Sequence, residues 1–367
     1  MMTLDLEALL AAIPGGDPTG PNLREEASGS STYHALRDIR THARNKERAA
    51  RANGDSDYID SNDWMPLIET APKILQEQSK DIEIVAWLIE ALTRTQGFNG
   101  FSVGFQLARL MIEKFGEKLH PRPDEDGKAT QLAALIGLNG YGSEGALISP
   151  LKFIPLTEGT APAPFSTWQC EQAFELERIS DPAKRDARSK RGFTTRAEVD
   201  QAITETSQDF LIQTHKALLE ARAQYDRYQN VLDSYCEDQP QPTGRIKDTL
   251  DACLQALTYI AADRIAANRS SPDTSDPEGT DSHEPSDTNV IEPDTAQLNL
   301  DRSRALAQLV EIADFFRRSE PHSPISYAIE KAVYWSRLSL PELLNELITD
   351  ENARQTYQTL TGIRTTK

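Results

Sequence analysis

The chain has 367 residues, with 57 Asp and Glu against 39 Lys and Arg, and a formal net charge of −18. That balance excludes phosphate-backbone binding as the main task, because such binding needs clustered Lys and Arg to displace counterions. The length implies two or three domains, and 38% hydrophobic residues suffice for a core.

Leu4 to Ile13 reads as a short amphipathic helix ended by Pro14-Gly15-Gly16. Asp17-Pro18-Thr19-Gly20-Pro21-Asn22-Leu23-Arg24 then holds too many breakers for a regular element. Two glutamates follow Arg24, so a local ion pair is the plain expectation for it. From Tyr33 to Ala52 the chain is helix-like and polar. After a loop, a helix opens at Asp63-Trp64 with Asp63 as N-cap, Pro66 in its first turn and Leu67, Ile68, Ile74 and Leu75 facing inward.

The next stretch organises the rest. Ser79 is placed to cap a helix whose first turn carries Asp81 and Glu83, acids suited to the positive end of the helix dipole. Gly97 is placed to close it in a left-handed turn. Ile82, Ile84, Val85, Trp87, Leu88, Ile89 and Leu92 cover nearly the whole circumference, as expected of a central, buried helix. A second apolar helix after Gly100, with Phe101, Phe105, Ala108, Leu110, Met111, Ile112 and Phe115, completes an αα-hairpin across a Phe98-Asn99-Gly100 turn.

His120-Pro121-Arg122-Pro123-Asp124-Glu125-Asp126-Gly127 invites a metal, but the calcium-loop spacing fails, since the first and last positions would be Arg122 and Ala133. A turn whose acids cap a helix from Ala129 to Leu138 is the favoured reading. Pro150 to Pro164 is expected to be a loop or short strand packed back on the core. Thr167 caps a short helix with Trp168, Ala173, Phe174 and Leu176, and the charged stretch to Arg191 reads as an exposed connection. One long helix is expected from Thr195 to about Tyr235, with Leu211, Leu218, Tyr225 and Leu232 at heptad spacing beside Thr214, Ala221, Tyr228 and Tyr235. Its partner follows Pro240-Gln241-Pro242 and carries Ile246, Leu250, Cys253, Leu254, Leu257, Ile260, Ala261 and Ile265.

Ser270 to Asp294 has eight acids, four prolines and no Lys or Arg. It cannot bury enough surface to offset its ordering entropy and reads as a disordered acidic tether. Thr295 to Lys367 reads as four short helices: Asp301 starts the first and Ser323-Pro324 the second, Ser339 and Glu342 box the third, and Asp350 caps the fourth. A unit of about seventy residues is marginal alone, and self-association is a common remedy.

Cys170, Cys236 and Cys253 are odd in number and widely spaced, which reads as reduced thiols of a cytoplasmic protein. The start lacks a basic leader, and no stretch is apolar for long enough to span a bilayer, so no direct membrane insertion is expected. The basic runs His42 to Arg51 and Lys184 to Arg196 read as solvated helix faces. There is no glycine-rich phosphate loop, paired-Cys spacing, nucleophile elbow or His-Glu-x-x-His helix. The six histidines are dispersed, and His322 sits in a stiff Pro-His-Ser-Pro corner. No catalytic residue, cofactor or metal is expected. The competing readings are a monomeric helical adaptor or chaperone, and a metal-assisted hydrolase around His120, Asp124 and Asp126.

Beside these readings stands a resemblance. Asp17-Pro18-x-Gly20-x-x-Leu23-Arg24, Asp63-Trp64, Ser79-Lys80-Asp81, Trp87-Leu88-x-Glu90-Ala91, Gly97-Phe98-x-Gly100, and Leu119-His120-Pro121 with Asp124-Glu125-Asp126-Gly127 resemble the ImpA-type N-terminal domain of the TssA proteins of bacterial type VI secretion. Phe315-Phe316-Arg317-Arg318-x-Glu320-Pro321-His322-Ser323-Pro324 and Trp335-x-Arg337-Leu338-x-Leu340-Pro341-Glu342-Leu343-Leu344 resemble the C-terminal region of short TssA proteins. The resemblance implies a non-enzymatic assembly factor of the contractile machine, whose C-terminal parts form a ring. Its N-terminal domains would engage baseplate, tube and sheath proteins, with the membrane complex as a further partner, on the cytoplasmic side of the inner membrane. Whether it acts at the baseplate or at the distal sheath end stays open.

The expected architecture is all-α. It comprises an ImpA-like helical domain over residues 1–192, a long helical hairpin over 193–268, a disordered acidic linker over 269–294 and a ring-forming helical module over 295–367. Exposed loops on a rigid scaffold often carry recognition, so the candidate partner-binding residues are Asp17, Pro18, Gly20, Leu23, Arg24, Phe98 and Gly100. The candidate oligomerisation residues are Phe315, Phe316, Ile325, Ile329, Val333, Trp335 and Leu344.

Overall fold

The computed structural model describes residues 4–25, 31–53, 59–125, 127–159, 164–237 and 239–266. In the C-terminal part it describes residues 306, 309–310, 312–314, 316–318, 324–336, 338, 343 and 346. The chain forms two compact units, residues 1–275 and 276–367. Among the described residues every regular element is helical, as expected of an all-α chain. No described helix is long and apolar enough to cross a membrane.

The first unit begins with α1 (Leu6–Leu10), α2 (Thr32–Ala52), α3 (Ser61–Glu77) and α4 (Ile82–Phe115). It is built around α4, whose backbone leaves helical geometry at Gly97 (φ 59°, ψ −139°), a conformation open to glycine at little cost. The two arms fold back on each other: a Cβ at Gly100 would meet the Leu92 carbonyl oxygen at 2.1 Å, and one at Gly104 would meet Ile89 at 2.8 Å. The hairpin is therefore present, but its reversal is one residue, and Phe98, Asn99 and Gly100 belong to the second arm. The N-cap is Asp81, whose carboxylate accepts from the Glu83 and Ile84 amides, whereas the Ser79 hydroxyl donates to Pro21 O at 2.7 Å. Likewise Asp60, not Asp63, caps α3, and Asp63 instead pairs with Lys46 at 2.5 Å.

α2 and α3 are tied to α4 by a buried polar cluster. Glu47 of α2 accepts from Arg94 Nε at 2.7 Å and from the Trp64 indole at 3.0 Å, while the Arg94 guanidinium lies 4.3 Å over the Trp64 ring. Glu90, fully buried, takes Arg40 at 2.6 Å and lies 3.7 Å from Arg94.

A 3-10 turn (Gly116–Lys118) leads to α5 (Lys128–Gln131), α6 (Ala133–Asn139), α7 (Ile148–Lys152), α8 (Thr167–Glu177) and α9 (Pro182–Ser189). The expected helix over 129–138 is broken at Leu132, and its start is Gly127 without a side-chain cap. Leu151 and Leu156 are buried, so this stretch does pack on the core. Ser166 rather than Thr167 caps α8, in a box with Gln169, and the charged connection contains the exposed helix α9.

The long helix expected from Thr195 is two, α10 (Arg196–Glu205) and α11 (Gln208–Cys236). Between them the Thr206 hydroxyl turns back to Ala202 O at 2.7 Å, and the distant Glu158 carboxylate accepts from the Ser207 amide at 3.0 Å. The seam itself forms: Leu211, Leu218, Tyr225 and Leu232 are all buried, and Phe105 of α4 meets Tyr225 edge-on at 4.9 Å and Tyr228 at 5.0 Å. α12 (Gly244–Ala266) packs along α11, with Ile246, Leu250, Cys253 and Leu257 buried. This hairpin lies in the same unit as α4, so the expected boundary at 192 falls inside unit one. All three cysteines are buried free thiols.

In the second unit, α13 (Ile325–Trp335) follows Pro324, with Ser326 and Val333 buried. Phe315, His322, Leu344, the expected tether and the caps at Asp301, Ser339, Glu342 and Asp350 lie outside the described residues.

Candidate functional site

Three segments far apart in sequence meet at the start of α4. The Lys80 amide donates to Thr19 O at 2.8 Å, the His120 amide donates to Lys80 O at 3.0 Å, and the Ile82 amide donates to His120 O at 2.8 Å. His120 Nε2 lies 2.9 Å from Gly20 O. Lys80 is fully buried, and its ammonium donates to Leu9 O at 2.7 Å and Leu75 O at 2.6 Å, carbonyls at the C-terminal ends of α1 and α3. Burial, with a smaller contribution from Lys114, lowers its pKa to about 8.

The Asp17 to Arg24 loop wraps this junction. Gly20 has φ +70°, and a Cβ there would meet Gln78 O at 2.1 Å, so the loop backbone lies directly on the end of α3. Arg24 pairs, among the described residues, with acids that lie far along the chain. It reaches Asp81 with both terminal nitrogens and Glu83 at 2.6 Å, and lies 4.5 Å over the Tyr33 ring. The Tyr33 hydroxyl donates to Glu83 at 2.7 Å, and burial and this bond push its pKa up to about 12. Asp17 accepts from the Thr19 hydroxyl at 2.6 Å and from Arg122 at 2.6 Å; the Thr19 bonds foremost hold its carboxyl below the usual range.

Around the loop lies an open cleft of about 530 Å³, with Gly15, Gly16, Asp17, Asn22, Glu25 and Arg122 among its lining residues. The seven candidate partner-binding residues thus divide. Asp17 is exposed, and Pro18 and Arg24 are half-buried; Gly20 and Leu23 are buried in the junction. Phe98 and Gly100 are buried within α4, so that stretch presents neither residue as an exposed turn. Sequence reasoning missed Arg122, whose guanidinium closes the cleft rim across 105 positions; its place directly after His120-Pro121 was the available signal. Among the described residues no group of His, Cys, Asp and Glu is arranged to hold a metal.

In the second unit Ile325, Tyr327 and Tyr334 stand exposed on α13, and Leu309, Val310 and Ile312, which precede that helix, are exposed as well. Ile329, Trp335 and Phe316 are half-buried and Val333 is buried.

Residues 10–140 match the family model described as ImpA, N-terminal, type VI secretion system. The type VI secretion system component TssA1 of Pseudomonas aeruginosa is 21% identical over 364 residues, 98% of this chain and 98% of that protein. The chain belongs to the TssA family. A solved N-terminal domain of the TssA component from Burkholderia cenocepacia, which includes the conserved ImpA_N region, superposes with a TM-score of 0.60 at 22% identity. The match covers 72% of this chain and 96% of that one, and it shows a shared fold. The motif residues that carried the resemblance, Gly20, Lys80, Asp81 and His120, are the ones the junction joins. In this TssA-family chain they hold the first unit together and leave Asp17 and Arg122 on its surface.

Proposed function

We propose that this type VI secretion component is a non-enzymatic assembly factor. In this reading copies associate through their C-terminal units into a ring, and the N-terminal units project to engage baseplate, tube and sheath proteins. The observation that supports it most is the end-to-end similarity to a TssA protein, joined to the exposed apolar residues of the second unit. Tyr327 is 63% exposed and Tyr334 52% on one helix, an apolar surface of the kind copies of a chain cover in each other. Many weak heads presented together would hold a polymer by avidity while each contact stays modest. The cleft rim at Asp17 and Arg122 is the part of the Asp17 to Arg24 region available to a partner. The site of action in this reading is the cytoplasmic side of the secretion apparatus.

The test is the mass of the full chain in solution beside a chain ending at Arg269. A large species that is lost on truncation is the expected result. A single-copy particle at every concentration would overturn the ring and favour a monomeric adaptor.

A further inference from the structure

α2 carries Arg37, Arg40, Arg44, Arg48 and Arg51 at intervals of three, four, four and three residues. That register puts five guanidiniums in one stripe, spanning about 80° of the helix surface and about 21 Å of its length. Like charges three and four residues apart oppose helix formation, and the fold compensates for only part of the row. Glu90 takes Arg40 at 2.6 Å and lies 3.9 Å from Arg44, while also serving Arg94. Arg37 has Asp38 at 3.8 Å, both exposed. Among the described residues no acid pairs with Arg48 or Arg51, and the Arg51 Nε is buried without a hydrogen-bond partner. The Arg44 guanidinium is held below its ordinary range, foremost by burial, with Arg40, Arg48 and Arg94 adding to it against the pull of Glu90. The stripe is also pre-positioned: Arg40 lies 5.8 Å over Trp87 and Arg51 5.9 Å over Phe153, so little side-chain freedom remains for a ligand to remove at either.

We propose that this stripe docks an acidic helix of a partner protein, one bearing Asp or Glu at three- and four-residue spacing along about four turns. Carboxylates in that register stand about 5–6 Å apart, matching the guanidinium row, and each can accept two parallel bonds from an arginine. A phosphate backbone is the poorer fit, because Asp38 sits beside the row and the whole chain carries −18. The proposal rests on the reading of the N-terminal unit as the gripping part, and does not depend on ring formation.

The test uses the full chain and a labelled synthetic helix of about 20 residues with glutamates in that register on an Ala/Gln background. A scrambled peptide of equal composition and a DNA duplex serve as comparisons, all read by fluorescence anisotropy. The registered peptide is expected to bind about tenfold tighter than the scramble, and the R37A/R48A variant to lose about tenfold. Both substituted positions are exposed, and circular dichroism checks that the fold is kept. Equal binding of the scramble, tighter binding of DNA, or an unchanged R37A/R48A variant would each overturn the proposal. None of these outcomes alters the particle mass that tests the ring, so the two readings fail separately.

Discussion

Arg94 and Glu47 form an ion pair at 2.7 Å with side chains only 2% and 5% exposed, and through it α2 is locked to the first arm of α4. Arg94 also donates to Glu90 O at 3.1 Å and Ala146 O at 3.3 Å, so its five donors serve three segments. Removing one partner of such a pair leaves a buried charge uncompensated. Arg94→Ala should therefore cost about 3–5 kcal/mol, read as a lower denaturant midpoint in urea unfolding followed by tryptophan fluorescence.

Gly20→Ala is expected to destabilise the first unit by about 1–3 kcal/mol, because alanine meets both a positive φ and the Gln78 carbonyl oxygen. Limited proteolysis should show earlier cleavage between residues 14 and 25. An unchanged pattern would mean that the loop does not lie on α3 as described.

Arg24 and the Asp17–Arg122 pair should separate cleanly. Arg24→Ala strips a fully buried Asp81 of its cation and should cost about 2–3 kcal/mol, part of the burden being carried by the two amides that Asp81 caps. Asp17 and Arg122 are 45% and 41% exposed, so the D17A/R122A variant should shift stability by less than about 1 kcal/mol. If the cleft rim meets the apparatus, that variant loses binding to baseplate or sheath proteins in pull-down at unchanged melting temperature.

Lys80 predicts a pH signature. Its folded pKa of about 8 lies below the usual value of 10.5, so between those pH values the unfolded chain holds more protons and its contribution to stability rises with pH. Below about pH 8 both states are protonated and the slope vanishes. The unfolding free energy of the native chain minus that of Lys80→Met, measured from pH 7 to 10.5, should stay flat up to about pH 8 and rise with pH above it. A flat difference would place the ammonium in contact with solvent.

The core was readable from the residues because a helix apolar on all sides, such as Ile82 to Leu92, has only one place to go. The TssA resemblance drew on that stretch and on motifs spread from Asp17 to Gly127 and from Phe315 to Leu344. Caps were read less well: Ser79, Asp63 and Thr167 are all cap-competent, yet Asp81, Asp60 and Ser166 hold the amides, and the choice is settled by what else each side chain can reach. Ser79 is drawn away by Pro21 O, 58 positions back. The break between α10 and α11 depends on Glu158, 49 positions before Ser207, and no local pattern announces it. The same holds for Arg24, whose partners Asp81 and Glu83 are remote while two glutamates stand next to it. Propensity and spacing report on one helix at a time, and these bonds join segments only after the chain has closed.

The backbone bonds linking Thr19, Lys80 and His120 also bear on how the first unit would behave if a partner met it there. A surface loop stitched to the interior at this junction has little room to mould itself around whatever it meets. Recognition there would then resemble a key cut in advance, with selectivity set during folding and little ordering entropy left to lose at the moment of capture.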